Sequence, residues 1–201
     1  MPKYRKTGRL IKKRIFIVCE GKKTEPYYFS ELVGDINFRG KPVDIRIIDS
    51  KKNTAKEMIE FARNLREFKG DDVWVVFDRD GYTKHPLAFQ LAHEYNIHIA
   101  FSSISFEYWV LLHFHYIFKE FHNSYEVINY MRVKHFMNFK KNDRNTYSKI
   151  KHLTNYAIQN AEKLRFKQRS AHPNKNIYDM NPYTNVDLLI KSIDRLKNIY
   201  N

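Results

Sequence analysis

The run Ile15-Phe16-Ile17-Val18-Cys19, closing on Glu20-Gly21 and followed at once by Lys22-Lys23-Thr24-Glu25-Pro26, decides how the chain is read. Five consecutive apolar, mostly β-branched residues make a short strand buried on both faces, as in a parallel sheet. Thr24 is placed to cap a helix with Glu25 and Pro26 in its first turn, where a missing N–H costs little. Tyr28, Phe29, Leu32 and Val33 would form the inner face of that helix.

Outward from this unit the alternation repeats. Residues 43–48 read as a second strand. Thr54-Ala55-Lys56-Glu57 is a capping box opening a helix that runs through Phe68 to Gly70. Residues 73–77 form a third strand leading directly into Asp78-Arg79-Asp80-Gly81; a helix over 86–95 and a fourth strand over 97–101 follow. Strands alternating with helices predict an α/β fold: an open, mostly parallel sheet flanked by helices. From about residue 105 the pattern turns helical, over 105–118, 124–132, 148–169 and 184–200. The expected organisation is a basic N-terminal segment (1–14) and one domain (15–201), with an α/β core over about 15–118 and a helical part over about 119–201.

Charge points to the partner. The 36 Lys+Arg against 22 Asp+Glu give a formal charge of +14. Such a field suits a nucleic acid, because neutralising phosphates releases condensed counterions. Residues 132–175 hold twelve Lys/Arg against only Asp143 and Glu162, so the basic excess is concentrated in the helical part. Residues 1–14 carry seven basic side chains and no acidic one, which reads as a solvated tail or an arm on phosphates. A single cysteine, Cys19, excludes an intramolecular disulfide and a Cys-based zinc site, and its strand position suits a core residue better than a nucleophile. With no apolar run of spanning length and no secretory signal, the expected location is cytoplasmic, with no membrane partner.

In an open parallel sheet, functional groups gather at the carboxyl ends of strands, near the point where strand order reverses. Here the first strand delivers Glu20, and the third delivers Asp78 and Asp80. These carboxylates would repel one another without a counterion. Mg²⁺ or Mn²⁺ resolves that repulsion through hard oxygen ligands and can activate water for phosphodiester cleavage. Glu107, in Ser105-Phe106-Glu107-Tyr108-Trp109, is a further candidate, although a carboxylate in a helix's first turn is favoured by the dipole alone. Lys22 and Lys23 beside Glu20, with Lys140, Lys141, Arg165 and Arg169 in the basic part, are the candidate phosphate contacts. His113 and His115 stand two apart, on different helix faces, and are not expected to share a metal.

These blocks resemble the RloB-like family. The likeness lies in Ile17–Phe29, in Val76-Phe77-Asp78-Arg79-Asp80, in Ser105–Trp109 with Leu111-Leu112-His113-Phe114, and in Asn181-Pro182-Tyr183-Thr184-Asn185-Val186. It implies a Toprim-like fold, related to the catalytic domains of topoisomerases, primases and overcoming-lysogenization-defect nucleases. In such proteins the glutamate after strand one and the D-x-D after strand three hold divalent metal; on this chain those positions are Glu20, Asp78 and Asp80. The resemblance also implies a bacterial anti-phage or abortive-infection role and an AAA/ABC-type ATPase partner encoded nearby.

Two functions therefore compete: a metal-dependent endonuclease on DNA or RNA, tRNA included, and a non-catalytic nucleic-acid-binding or ATPase-partner subunit with a degraded site. Topoisomerase and primase activities are disfavoured by the chain's length and by the lack of a G-x-x-x-x-G-K-[ST] loop. Monomer and homo-oligomer are both left open.

Overall fold

The computed structural model describes residues 13–79 and 85–200, so the bulk of the N-terminal segment and Asp80 lie outside the described residues. The elements run β1 (Lys13–Cys19), α1 (Thr24–Ile36), β2 (Val43–Asp49), α2 (Ala55–Arg63), β3 (Asp72–Asp78), α3 (His85–Glu94), β4 (His98–Ser103) and α4 (Phe106–Leu111). They continue as α5 (Ser124–Lys134), α6 (Thr146–Ile150), a 3-10 turn (Lys151–Leu153), α7 (Thr154–Ala171), a second 3-10 turn (Ile177–Asp179), β5 (Tyr183–Thr184) and α8 (Val186–Tyr200).

The strands form one sheet in the order β2-β1-β3-β4-β5. The first four are mutually parallel, and β5 pairs antiparallel with β4. The α/β expectation therefore holds. β1 steps to β2 on one side and pairs with β3 on the other, so strand order reverses between β1 and β3.

Alternation along the strands sends side chains to two cores. Ile15, Ile17, Cys19, Trp74 and Val76 pack with Tyr28, Phe29 and residues of α4, α5, α7 and α8 on one face. Phe16, Val18, Val73, Val75 and Phe77 pack with Met58, Ile59 and Ala62 of α2 and Ala88 and Ala92 of α3 on the other. Helices thus cover both faces, which is why these strands read as unbroken apolar runs.

Four local expectations are corrected. Thr24 does not cap α1; its Oγ1 donates to the carbonyl of Lys141 at 2.6 Å, tying the helix start to a distant loop. Thr54 does cap α2, accepting from the Glu57 N–H at 3.2 Å while its hydroxyl donates to Glu57 Oε2 at 2.9 Å. However, α2 ends at Arg63 rather than near Phe68. There Asp71 accepts the N–H groups of Glu67 and Phe68, and Arg14 stacks over the Phe68 ring, so a turn replaces the last helical turns. The helix expected over 105–118 closes after Leu111, because His113 N and Phe114 N bond three residues back and the Tyr108 hydroxyl ties down the Ile117 carbonyl. The long helix expected over 148–169 is divided into α6, a 3-10 turn and α7.

The C-terminal part is not purely helical, since its Tyr183–Thr184 strand completes the sheet. Asn185 fixes it there by accepting the Phe101 N–H at 2.6 Å and donating to the Ile99 carbonyl at 3.0 Å.

Candidate functional site

β1 and β3 lie side by side, and each runs out at its carboxyl end into an acidic residue. Glu20 N–H still donates to the Val76 carbonyl at 3.0 Å, so Glu20 sits one step past the ladder. Glu20 Oε2 in turn accepts the Asp78 N–H at 3.1 Å. That bond crosses the point of strand-order reversal, where ligand sites of open α/β sheets are found. The two residues paired by sequence reasoning are therefore brought together.

Glu107 joins them from the start of α4. Its side chain is 1% exposed, and neither carboxylate oxygen has a hydrogen-bond partner among the described residues. The nearest cation is Lys141, with Nζ 3.7 Å from Glu107 Oε1, too long for a hydrogen bond. Asp78 Oδ1 is likewise buried and without a hydrogen-bond partner. Helix-dipole stabilisation was the plain alternative for Glu107. A carboxylate with both oxygens buried and unbonded is more than that account requires, because burying an ionised group costs several kcal/mol unless it is paired.

A fourth carboxylate, Glu25, belongs to the same group and was read from sequence only as a first-turn residue. It is buried, and a Cβ placed on Gly21 would stand 2.3 Å from its Oε2. The Glu25 carboxylate thus lies directly against the Gly21 backbone, and any larger residue there would displace it. The spacing Glu20-Gly21-x-x-x-Glu25 was the available signal: a glycine leaving a strand, with a second acid in the first turn of the helix that follows.

Crowding shows in the proton affinities. The Glu25 carboxyl is pushed up to about 7, chiefly by burial, with the charges of Glu107 and Glu20 adding and its own backbone hydrogen bond and Lys141 opposing. Asp78 is held well above the usual carboxylate range by burial first, then by the charges of Glu25, Glu107 and Glu20, against a hydrogen bond from the Phe106 backbone. This is the signature of like charges confined in a low-dielectric pocket.

The donor set is all carboxylate oxygen, which suits a hard divalent cation rather than zinc or copper. The described residues alone contain no ready-made group of three or more His, Cys, Asp or Glu arranged to hold a metal. Asp80, the remaining expected ligand, lies outside them.

The basic candidates divide. Lys22 and Lys23 are exposed in the β1–α1 turn beside Glu20. Lys140 and Lys141 lie on the loop after α5, with the Lys141 side chain 51% exposed and directed at Glu107. Arg165 is engaged elsewhere: it forms a bidentate ion pair with the fully buried Asp187 and donates to the Thr184 carbonyl. Arg169 is exposed in the last turn of α7. Cys19 is fully buried, as expected of a core residue. His113 is also fully buried, bonded to the Trp109 carbonyl through Nδ1 at 3.1 Å and 3.3 Å from the Tyr28 hydroxyl through Nε2. Burial pushes His113 down to about 4, so it is a neutral packing residue. His115 is exposed, and the two share no site.

These features define an α/β protein with an acidic crevice at the switch point of a mostly parallel sheet. The family model described as RloB-like protein matches residues 15–193, and the chain belongs to that family. No curated protein and no solved structure matches it. No helix among the described residues is long and apolar enough to cross a membrane.

Proposed function

We propose that the chain is a divalent-metal-dependent phosphodiesterase acting on nucleic acid, DNA or RNA, tRNA included. One observation carries the reading: Glu20, Glu25, Asp78 and Glu107 converge at the ends of β1 and β3 and the starts of α1 and α4, where Asp78 Oδ1 and both Glu107 oxygens are buried without hydrogen-bond partners and Glu25 and Asp78 hold their protons more tightly than free carboxylates. Nothing in a packed core rewards such an arrangement, and a bound cation would.

Glu20 and Asp78, with Asp80 expected beside them, would hold Mg²⁺ or Mn²⁺, and Glu25 and Glu107 would add negative charge behind them. When bound, such an ion supplies charge neutralisation, Lewis acidity and a more acidic water. The chain's own residues do the rest. The Glu20 carboxylate is oriented by the Asp78 N–H. Glu107, shielded from solvent, keeps two acceptor oxygens aimed into the crevice. Lys141 stands at the rim, where its ammonium can pass from Glu107 to a phosphate, and Lys22 and Lys23 flank the entrance from the β1–α1 turn. An effector role in bacterial anti-phage defence, with a neighbouring AAA/ABC-type ATPase as partner, is the biological setting that the family resemblance supports.

The test is cleavage of single- and double-stranded DNA and RNA by wild type, Glu20→Gln and Asp78→Asn, with Mg²⁺, Mn²⁺ or chelator. Wild type alone should cut, and only with metal. Equal cutting by all three proteins would show the site to be misplaced. Salt-sensitive binding without turnover under any metal would instead make the chain a nucleic-acid-binding subunit.

A further inference from the structure

The loop between α5 and α6 is built more firmly than an exposed connection needs. Phe139 is buried, and Arg132 Nε donates to its carbonyl at 2.9 Å. Thr24, next to Glu25, holds the Lys141 carbonyl at 2.6 Å. Glu31, two turns along α1, accepts from the Tyr147 N–H at 3.0 Å and the Ser148 hydroxyl at 2.6 Å. Arg144 lies over the ring of Tyr27, 5.2 Å from its centroid. Five contacts thus fix residues 139–148, all of them to helices, and four of those to the helix that carries Glu25.

What this fixed loop presents is positive charge. Asn138, Lys140, Asn142, Asp143, Arg144 and Lys149 line an open cleft of about 450 Å³. Its carboxylate, Asp143, is already occupied by Lys149 and by the Asn145 N–H. Lys140 and Arg144 stay exposed, and the neighbouring Lys141 turns the other way, towards Glu107. Elsewhere in the basic segment Arg165 is committed to Asp187 and Lys151 to Asp35, while Lys163 and Lys167, which lie over aromatic rings as Arg144 does, belong to α7 and not to the loop. Side-chain amides between two positive groups, on a backbone that does not have to be ordered on binding, are what a run of phosphates requires.

We infer that this cleft is a phosphodiester-backbone subsite, gripping the nucleic-acid strand on the α6 side of the acidic crevice, with Lys140 and Arg144 as the phosphate ligands and Lys141 as the bridge between the two. The inference rests on the proposed nucleic-acid chemistry for its ligand, but it concerns binding and not cleavage. It makes the α5–α6 loop, rather than the whole basic segment, the part that sets strand position.

The experiment is equilibrium binding by fluorescence anisotropy, in chelator so that nothing is cut, over a salt series. Labelled single-stranded DNA, single-stranded RNA and duplex DNA of equal length are the probes, which identifies the source of the phosphates. The full chain is compared with Lys140→Gln/Arg144→Gln and with Arg39→Gln/Lys41→Gln, which removes the same charge from the α1–β2 connection at the opposite ends of the strands. The cleft variant should bind at least one probe about tenfold more weakly at moderate salt, with its log–log salt slope reduced by about 1.4 on a single strand or about 1.8 on duplex. The distal variant should change affinity less than about twofold. Equal losses from both variants would reduce the effect to diffuse charge and overturn the inference, as would no loss from the cleft variant. Cleavage assays keep the two readings apart: cleft-dependent binding without turnover leaves the subsite standing and removes the nuclease, whereas metal-dependent cutting with unaltered binding by the cleft variant does the reverse.

Discussion

Replacing Glu25 with Gln should stabilise the metal-free protein, and the gain should appear only on the alkaline side. The Glu25 carboxyl is raised from 4.5 to about 7, so between those values the folded state keeps a proton that the unfolded chain has released. Stability follows the excess of protons bound by the unfolded state, which is negative here, and therefore falls as pH rises through that window. At about 1.4 kcal/mol per unit, the full cost of ionised Glu25 above pH 7 is about 3 kcal/mol, and below pH 4.5 it vanishes. Gln fills nearly the same volume without the charge, so Glu25→Gln should match wild type near pH 5 and exceed it near pH 8 by about 6–12 °C in melting temperature. Differential scanning fluorimetry in chelator, over a pH series, reads this directly. The acidic partner Asp78 is shifted in the same direction and makes the wild-type decline steeper. Adding Mn²⁺ at pH 8 should lift wild type by about 3 kcal/mol at a hundredfold excess over its dissociation constant, and the Gln variant by less. Parallel pH profiles for the two proteins would refute the argument, since they would mean that Glu25 carries no trapped proton.

Two further substitutions separate structure from site. Arg165→Ala should cost about 3 kcal/mol in urea denaturation, because it leaves the fully buried Asp187 to the longer 3.8 Å pairing with Lys191, yet leave the salt slope of nucleic-acid binding unchanged. Gly21→Ala places a methyl group against Glu25 Oε2; far-ultraviolet circular dichroism should stay that of wild type, while the Mn²⁺-induced rise in melting temperature falls by at least half.

Much of the fold was legible because the strands of a parallel sheet are apolar on both faces and the helices between them are punctuated by caps and glycines. The run from Ile15 to Cys19 and the Thr54–Glu57 box stand where local chemistry puts them. What local chemistry missed was decided by distant partners. Thr24 has the composition of a cap, but the carbonyl it serves is that of Lys141, 117 residues away. Thr184 looks like the start of a helix, and the grip of Asn185 on the β4 backbone, with the Ser102 and Arg165 contacts to Thr184, holds it in a strand. Arg165 looked like any cation in a basic stretch; the side chain that claims it lies 22 residues on, in the first turn of α8.

The acidic crevice divides the same way. Glu20 and Asp78 were readable because strand ends have a fixed place in an α/β sheet, and a one-dimensional pattern suffices to find them. Glu25 was not, because its importance comes from its burial against Gly21 and from the charges of Glu107 and Glu20 beside it, none of which composition can show. The α5–α6 loop links both halves of the molecule. The Thr24–Lys141 contact keeps Lys141, whose charge lowers the Glu25 proton affinity, beside the crevice, and it also fixes the backbone from which Lys140 and Arg144 face solvent. A substitution that loosens it, Thr24→Val being the mildest, should move both properties together: a higher Glu25 proton affinity as the Lys141 charge withdraws, seen as a steeper loss of stability with pH, and weaker binding of the strand. A Thr24→Val protein that changed one and not the other would show that the carboxylates and the basic cleft are supported independently.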